Sequence, residues 1–233
     1  MALIDDFESY SDGNLGGQGS WTDDYGHFIV GTTNPNTGSK CIHNDASGVG
    51  SSKSFTASAQ AVQSFYMRVN AINDTDRFYM TPYTGASYIG EISFWQSAGG
   101  TRKIFMGYNG NIGQSGALLL SGANLNQWYK IEFEWDGTAS RGAGGTGKIR
   151  ARVDGGSWTS WQDSTNSFST VDSITINTVL DSAYPTNAVF YDDFSVTVSG
   201  PANLKSWNGL ATASIKSING LAIASLKKVN GLA

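Results

Sequence analysis

From Leu3 to Val198 the chain alternates apolar and polar residues in short runs separated by Gly, Asn, Asp and Ser. A period of two marks strands with one face in a core and the other in water, and helical periodicity is nearly absent. Candidate strands cover 64–70, 78–82, 89–96, 102–108, 128–135, 147–153, 173–178 and 189–198. The clearest is 128–135. There Tyr129, Ile131, Phe133 and Trp135 share the face expected in the core, while Lys130, Glu132 and Glu134 share the other. A Gly-rich run from Gly137 to Gly147 then predicts a hairpin with a long mobile tip, and Asp154-Gly155 a tight turn. Many short strands with turns between them predict an all-β fold, an antiparallel jelly-roll β-sandwich over residues 1–199.

The last segment, 200–233, follows a different rule. Residues 205–215 and 216–226 are identical at eight of eleven positions, and the unit begins again at Lys227. Eleven residues is also the period of a right-handed coiled coil, but an Asn-Gly pair inside every unit opposes a helix. Asn-Gly is instead the strongest two-residue hairpin signal, because both residues tolerate positive φ. Type I′ turns at Asn208-Gly209 and Asn219-Gly220 therefore predict a C-terminal β-hairpin repeat tail, with strands over 210–218 and 221–229. Leu210, Ile218, Leu221, Ile223 and Val229 fall on one face, and Trp207 precedes the first turn. So narrow a ribbon is marginal alone in water, which makes these six residues the candidate assembly contacts of a homo-oligomer, a trimer among the symmetries considered, or of another subunit.

Composition agrees with strands and turns: the 233 residues include 29 Gly and 28 aromatic side chains, with only 15% charged. The lone Cys41 excludes an internal disulfide or a Cys-based zinc site. No apolar run reaches the roughly 18 residues of a membrane-spanning helix. The opening residues form neither a basic segment nor an apolar stretch of the secretory kind, so the expected location is a virion or the cell exterior reached without a signal peptide. Four Lys and no acid in the tail give it +4 and leave the body at −8, which argues against nucleic acid as a partner.

Several motifs together carry a family resemblance. The strand that opens Trp128-Tyr129, the Gly-rich excursion and the strand that closes Val153-Asp154-Gly155 resemble the central hairpin of concanavalin A-like jelly rolls of the laminin-G type. The opening Asp5-Asp6-Phe7-Glu8-Ser9-Tyr10 with Trp21, and the closing Phe190-Tyr191-Asp192-Asp193-Phe194, are similar to that family's terminal strands. The tail resembles C-terminal segments of bacteriophage virion proteins. What the resemblance implies is a lectin-like sandwich, with calcium as a candidate ligand near the termini and no cofactor required.

Candidate chemistry follows from residue type and spacing. Asp5, Asp6, Asp192 and Asp193 lie on terminal strands expected to pair, and hard carboxylate oxygens suit Ca²⁺. Trp158, Trp161, Tyr108 and Trp95 stand near strand ends or turns, where a ring stacks on the face of a sugar, so cell-surface glycans are candidate partners. Glu132, Glu134 and Asp136 project from one strand face about 6.5–7 Å apart, a spacing that glycoside hydrolysis can use, but they read better as a solvated face. His27 and His43, the two histidines, form no metal-binding or nucleophile-relay spacing. The resulting expectation is a non-enzymatic virion structural or attachment protein of a bacteriophage. A secreted carbohydrate-binding module is the alternative, and a polysaccharide-cleaving enzyme the third reading.

Overall fold

The computed structural model describes residues 4–23, 28–45, 50–74, 77–108, 116–178 and 187–198, and the backbone of four residue pairs in the tail. Alternating residues make strands because a pleated strand sends successive side chains to opposite faces. In chain order these are β1 (Ile4–Asp5), β2 (Gly13–Asn14), β3 (Trp21–Asp23), β4 (Phe28–Gly31), β5 (Cys41–Asn44), β6 (Gly50–Ser58), β7 (Gln60–Val69), β8 (Arg77–Thr84), β9 (Ser87–Tyr88), β10 (Glu91–Gln96), β11 (Arg102–Gly107), β12 (Ala117–Ser121), β13 (Trp128–Ser140), β14 (Thr146–Val153), β15 (Gln162–Asp163), β16 (Val171–Thr178) and β17 (Val189–Val198). They form two antiparallel sheets. Sheet A runs β15-β14-β13-β7-β17-β5-β4-β2, with β1 on β17; sheet B runs β12-β11-β10-β8-β16-β6-β3, with β9 on β8. The body is an all-β sandwich, and among the described residues no helix is long and apolar enough to cross a membrane.

The core lies between the sheets. Tyr129, Ile131, Phe133 and Trp135 are all buried in it, as the alternation of their strand requires. From sheet B come Phe78 opposite Phe94 and Met80 opposite Ile92, with Ile104, Met106, Ile174 and Ile176 beside them. Phe7, Trp21, Phe65, Tyr191 and Phe194 close one region with ring pairs whose centroids lie 5.3–6.2 Å apart, aromatic packing worth more than its buried area alone.

The hairpin tip departs from expectation. β13 continues to Ser140 and β14 starts at Thr146, with an irregularity between Asp136 and Ser140, so most of the Gly-rich run is strand. Its remaining turn is fixed by Gly144 N–H donating to Arg141 O and by Gly142 N–H donating to Asp163 Oδ2. Gly137 is needed where it stands, since a side chain there would strike the backbone of Ser169. Asp154 and Gly155 both hold positive φ, 51° and 69°, in the turn expected of them.

The chain divides into two units, Met1–Thr197 and Val198–Ala233. In the second, β18 (Ser206–Trp207) pairs with β19 (Leu210–Ala211), and β20 (Ser217–Ile218) with β21 (Leu221–Ala222). Trp207 opposes Leu210 and Ile218 opposes Leu221, the two-residue hairpin register that Asn-Gly favours. Ile223 and Val229 lie outside the described residues, as does His27.

Candidate functional site

Residues directly opposite on neighbouring strands share a face, so the registers of sheet B place its outward side chains in rows. One row is Lys103–Trp95–Arg77, from β11, β10 and β8. The next is Phe105–Ser93–Tyr79–Asn177, reaching β16. Glu91, Thr81 and Thr175 follow. All point away from the core, yet Ser93 is 0% exposed, Glu91 4%, Phe105 5% and Trp95 6%. An outward sheet face in water would not be so inaccessible; this one is a crowded surface of rings, hydroxyls and charges.

Its charges are specifically held. Arg77 Nη1 lies 2.6 Å from Glu91 Oε1, which also accepts a hydrogen bond from Ser93 Oγ. The Arg77 guanidinium stacks 4.8 Å from the centre of the Tyr79 ring. Lys103 Nζ stands 5.8 Å from the Trp95 ring and 5.9 Å from the Phe105 ring, and has no carboxylate partner among the described residues. Trp95 Nε1 is buried without a hydrogen-bond acceptor. A buried donor left unpaired is costly, typically 1–3 kcal/mol, and here it shares a face with the Lys103 ammonium. Donor and cation together suit an oxygen-rich, anionic guest.

The aromatic candidates separate. Trp95 belongs to this face. Tyr108 follows the end of β11 and is half-buried against the core. Trp158 and Trp161 lie instead on the outer side of sheet A, stacked on Arg150 and Arg152. Nothing in the sequence singles out Arg77, Tyr79 and Lys103, because only the pairing of three strands brings them together.

The terminal acids also part company. Asp5 is buried and both its carboxylate oxygens are engaged: Oδ2 accepts from Tyr10 OH at 2.6 Å, Trp21 Nε1 at 2.8 Å and Lys53 Nζ at 2.6 Å, and Oδ1 from Phe7 N–H at 3.2 Å. Burial, with the neighbouring Asp5 anion, pushes the Tyr10 hydroxyl above its ordinary range. Asp6 is exposed and accepts from Glu8 N–H. Asp192 accepts from the N–H groups of Asn36, Thr37 and Asp193, while Asp193 accepts from Asn36 Nδ2 and Thr37 Oγ1. These acids anchor the segment before β5. Among the described residues no group of three or more His, Cys, Asp or Glu is arranged to hold a metal ion.

Burial raises Asp192 from its ordinary 3.8 to about 7, against the backbone donors that favour its anion. A folded-state value above the unfolded one means that the native protein binds the proton more tightly. This contribution to stability is therefore complete below 3.8 and disappears as pH rises to about 7. Across that window the melting temperature should fall relative to an Asp192→Asn variant, whose side chain stays neutral. Parallel melting curves at each pH would exclude a protonated Asp192.

Glu132 and Glu134 are held in ion pairs, Glu132 with Arg152 and Glu134 with Arg150, each at 2.6 Å, and Asp136 accepts from Thr138.

No family model matches the chain, and no curated protein matches it. Solved structures do resemble it in fold. A sialidase superposes with a TM-score of 0.62 at 11% identity over 85% of this chain, which spans only 18% of the sialidase. A substituted alginate lyase bound to an alginate trisaccharide gives 0.60 at 12% identity, covering 85% of this chain and 98% of the lyase. A carbohydrate esterase from the Shiga toxin-encoding bacteriophage phi24B gives 0.54 at 15% identity, covering 77% and 90%. These are sandwich-fold carbohydrate-active proteins, in keeping with the jelly-roll expectation. They overturn the expectation of a non-enzymatic virion structural or attachment protein, because the neighbours are mostly carbohydrate-processing enzymes.

Proposed function

We propose that the protein is a polysaccharide-active enzyme whose working surface is the outer face of sheet B, and that its substrate is an acidic polysaccharide cleaved by β-elimination. The observation that carries this reading is Lys103, a cation without a carboxylate partner among the described residues, over Trp95 and Phe105 on a face of hydroxyls. The rings receive the C–H faces of sugars, and Lys103 balances the carboxylate of a uronic acid. Neutralising that carboxylate makes the adjacent C5 proton removable. In the reaction a base takes this proton, C4=C5 forms, the C4–O bond breaks, and the departing oxygen receives a proton. Tyr79, with the Arg77 guanidinium stacked on its ring, is the group proposed to exchange these protons. The fold likeness to an alginate lyase that the body covers almost end to end supports the reading. The finer placement among concanavalin A-like, laminin-G-type jelly rolls belongs to the same proposal.

The test is incubation with a panel of uronic-acid polysaccharides, read by ultraviolet absorbance of the unsaturated product. Activity on one of them that falls by about 100-fold or more in Lys103→Ala would support the assignment. Binding without product would leave a carbohydrate-binding module and overturn the enzyme.

The tail is proposed as a self-association element. Its +4 charge complements the −8 body, and its hairpins carry an apolar residue in most units. Removing residues 201–233 should lower the mass seen in sedimentation while leaving the melting of the body unchanged. An identical mass for both chains would refute the role.

A further inference from the structure

Trp158 and Trp161 belong to a construction that the proposed sheet B surface does not use. Arg150 and Arg152 point outward from β14, about 6.5–7 Å apart along the strand. The Trp161 ring lies 4.4 Å from the Arg150 guanidinium, Trp158 lies 4.8 Å from Arg150, and Arg152 lies 4.5 Å from Trp158. The side chains thus interleave in the order Trp161, Arg150, Trp158, Arg152. Each guanidinium is fixed from beneath: Arg150 Nε on Glu134 Oε2 at 2.6 Å, and Arg152 in a two-bond fork on Glu132 at 2.6 and 3.0 Å. Thr159, between the two tryptophans, is clipped to the same strand. Its N–H donates to Ala151 O at 3.0 Å and its hydroxyl accepts from Ala151 N–H at 3.2 Å.

Packing accounts for half of this stack. Trp158 is partly buried between two guanidinium planes. Trp161 ends the stack, covered by Arg150 yet 37% exposed, the one large aromatic so exposed among the described residues. A rigid, already ordered indole on a polar surface has lost its side-chain entropy before any ligand arrives, which favours stacking. The local charges are balanced, since Glu132, Glu134 and Asp163 offset Arg152, Arg150 and Lys148. The surface has no preference for an anion.

We infer that the Trp161 end of this stack is a second carbohydrate-binding surface, on the opposite side of the sandwich from the sheet B face, which takes the C–H face of an uncharged pyranose in a polysaccharide chain. It stands apart from the proposed elimination chemistry and binds a different class of glycan. Its role is to hold the protein on a neutral polysaccharide while the other face meets its own substrate.

Electrophoresis of the full chain through gels containing hydroxyethylcellulose or galactomannan tests it. Wild type should be retarded in at least one of these gels, equally at low and high salt, because stacking is not screened. Trp161→Ala should weaken binding about tenfold, the loss of one good aromatic contact, and Trp161→Tyr should recover most of it. Trp95→Ala and Lys103→Ala should be retarded like wild type, which separates this surface from the sheet B face. No retardation in either gel, undiminished retardation of Trp161→Ala, or retardation abolished by salt would each overturn the inference. Melting curves of Trp161→Ala should match wild type, given its exposed ring; if that variant unfolds, Trp161→Tyr against Trp161→Ser in the same gels decides between a stacking role and none.

Discussion

Lys53→Met should lower the unfolding free energy by about 3 kcal/mol, measured as a shift of the denaturant midpoint at constant slope. Lys53 arrives from β6, beside the edge strand β3 of sheet B, and points inward to the Asp5 carboxylate, 2.6 Å away, with the Trp21 ring 5.6 Å from its ammonium. Removing it leaves a buried anion with only the neutral donors of Tyr10, Trp21 and Phe7. Losing one partner of a buried pair costs about 3–5 kcal/mol, and the three surviving hydrogen bonds place this case at the lower end. The same geometry argues against a cation at Asp5, because three donors saturate Oδ2 and the Lys53 ammonium already balances its charge. Calcium and a chelator should both leave the midpoint of the wild-type protein where it is. A midpoint that rises with calcium would return a metal to the terminal acids.

Lys53 also shows why part of the fold was not legible in the sequence. Strand β6 reads Gly-Ser-Ser-Lys-Ser-Phe-Thr-Ala-Ser and carries no apolar alternation, because its inward positions hold Ser51 and Lys53 where other strands place Ile or Phe. Strand β13, with every second residue apolar, was readable at once, and so were β7, β16 and β17. The sequence marks the start of β13 at Trp128 but not its end, because a Gly run implies mobility, whereas here backbone partners carry the strand on to Ser140. In the tail, Asn-Gly carries its own backbone preference and so predicted register without tertiary help.

The candidate site was hidden for another reason. Arg77, Tyr79, Glu91, Ser93, Lys103 and Phe105 are unremarkable within their own strands, and they become a constellation only when β8, β10 and β11 pair in one register. A shift of a single residue would turn each set to the core. Trp95 gave a partial signal. It interrupts the alternation of Ile92 and Phe94, and an aromatic on the outward side of a sheet asks for a second surface to cover it. Trp158 and Trp161, three residues apart outside any strand, stand out in the sequence as candidate sugar-stacking rings, but Arg150 and Arg152, which stack with them, do not.

Tyr79→Phe should abolish cleavage of the acidic polysaccharide, with kcat down by about a factor of 1,000 and KM nearly unchanged. The variant removes one oxygen and keeps the ring that Arg77 stacks upon at 4.8 Å, so the face that receives the sugar retains its shape. Lys103→Ala should behave differently. Its ammonium meets the carboxylate both before and during proton removal, so KM should rise as kcat falls, and raising the ionic strength should weaken wild-type binding in the same sense. Arg77→Lys should fall between the two, because a lysine can keep the pairing with Glu91 Oε1 but lacks the flat cation that covers Tyr79. Steady-state kinetics on one substrate distinguishes all three. A Tyr79→Phe enzyme with undiminished kcat would remove the phenol from the proton exchange, and a Lys103→Ala enzyme with unchanged KM would remove the carboxylate from that end of the face.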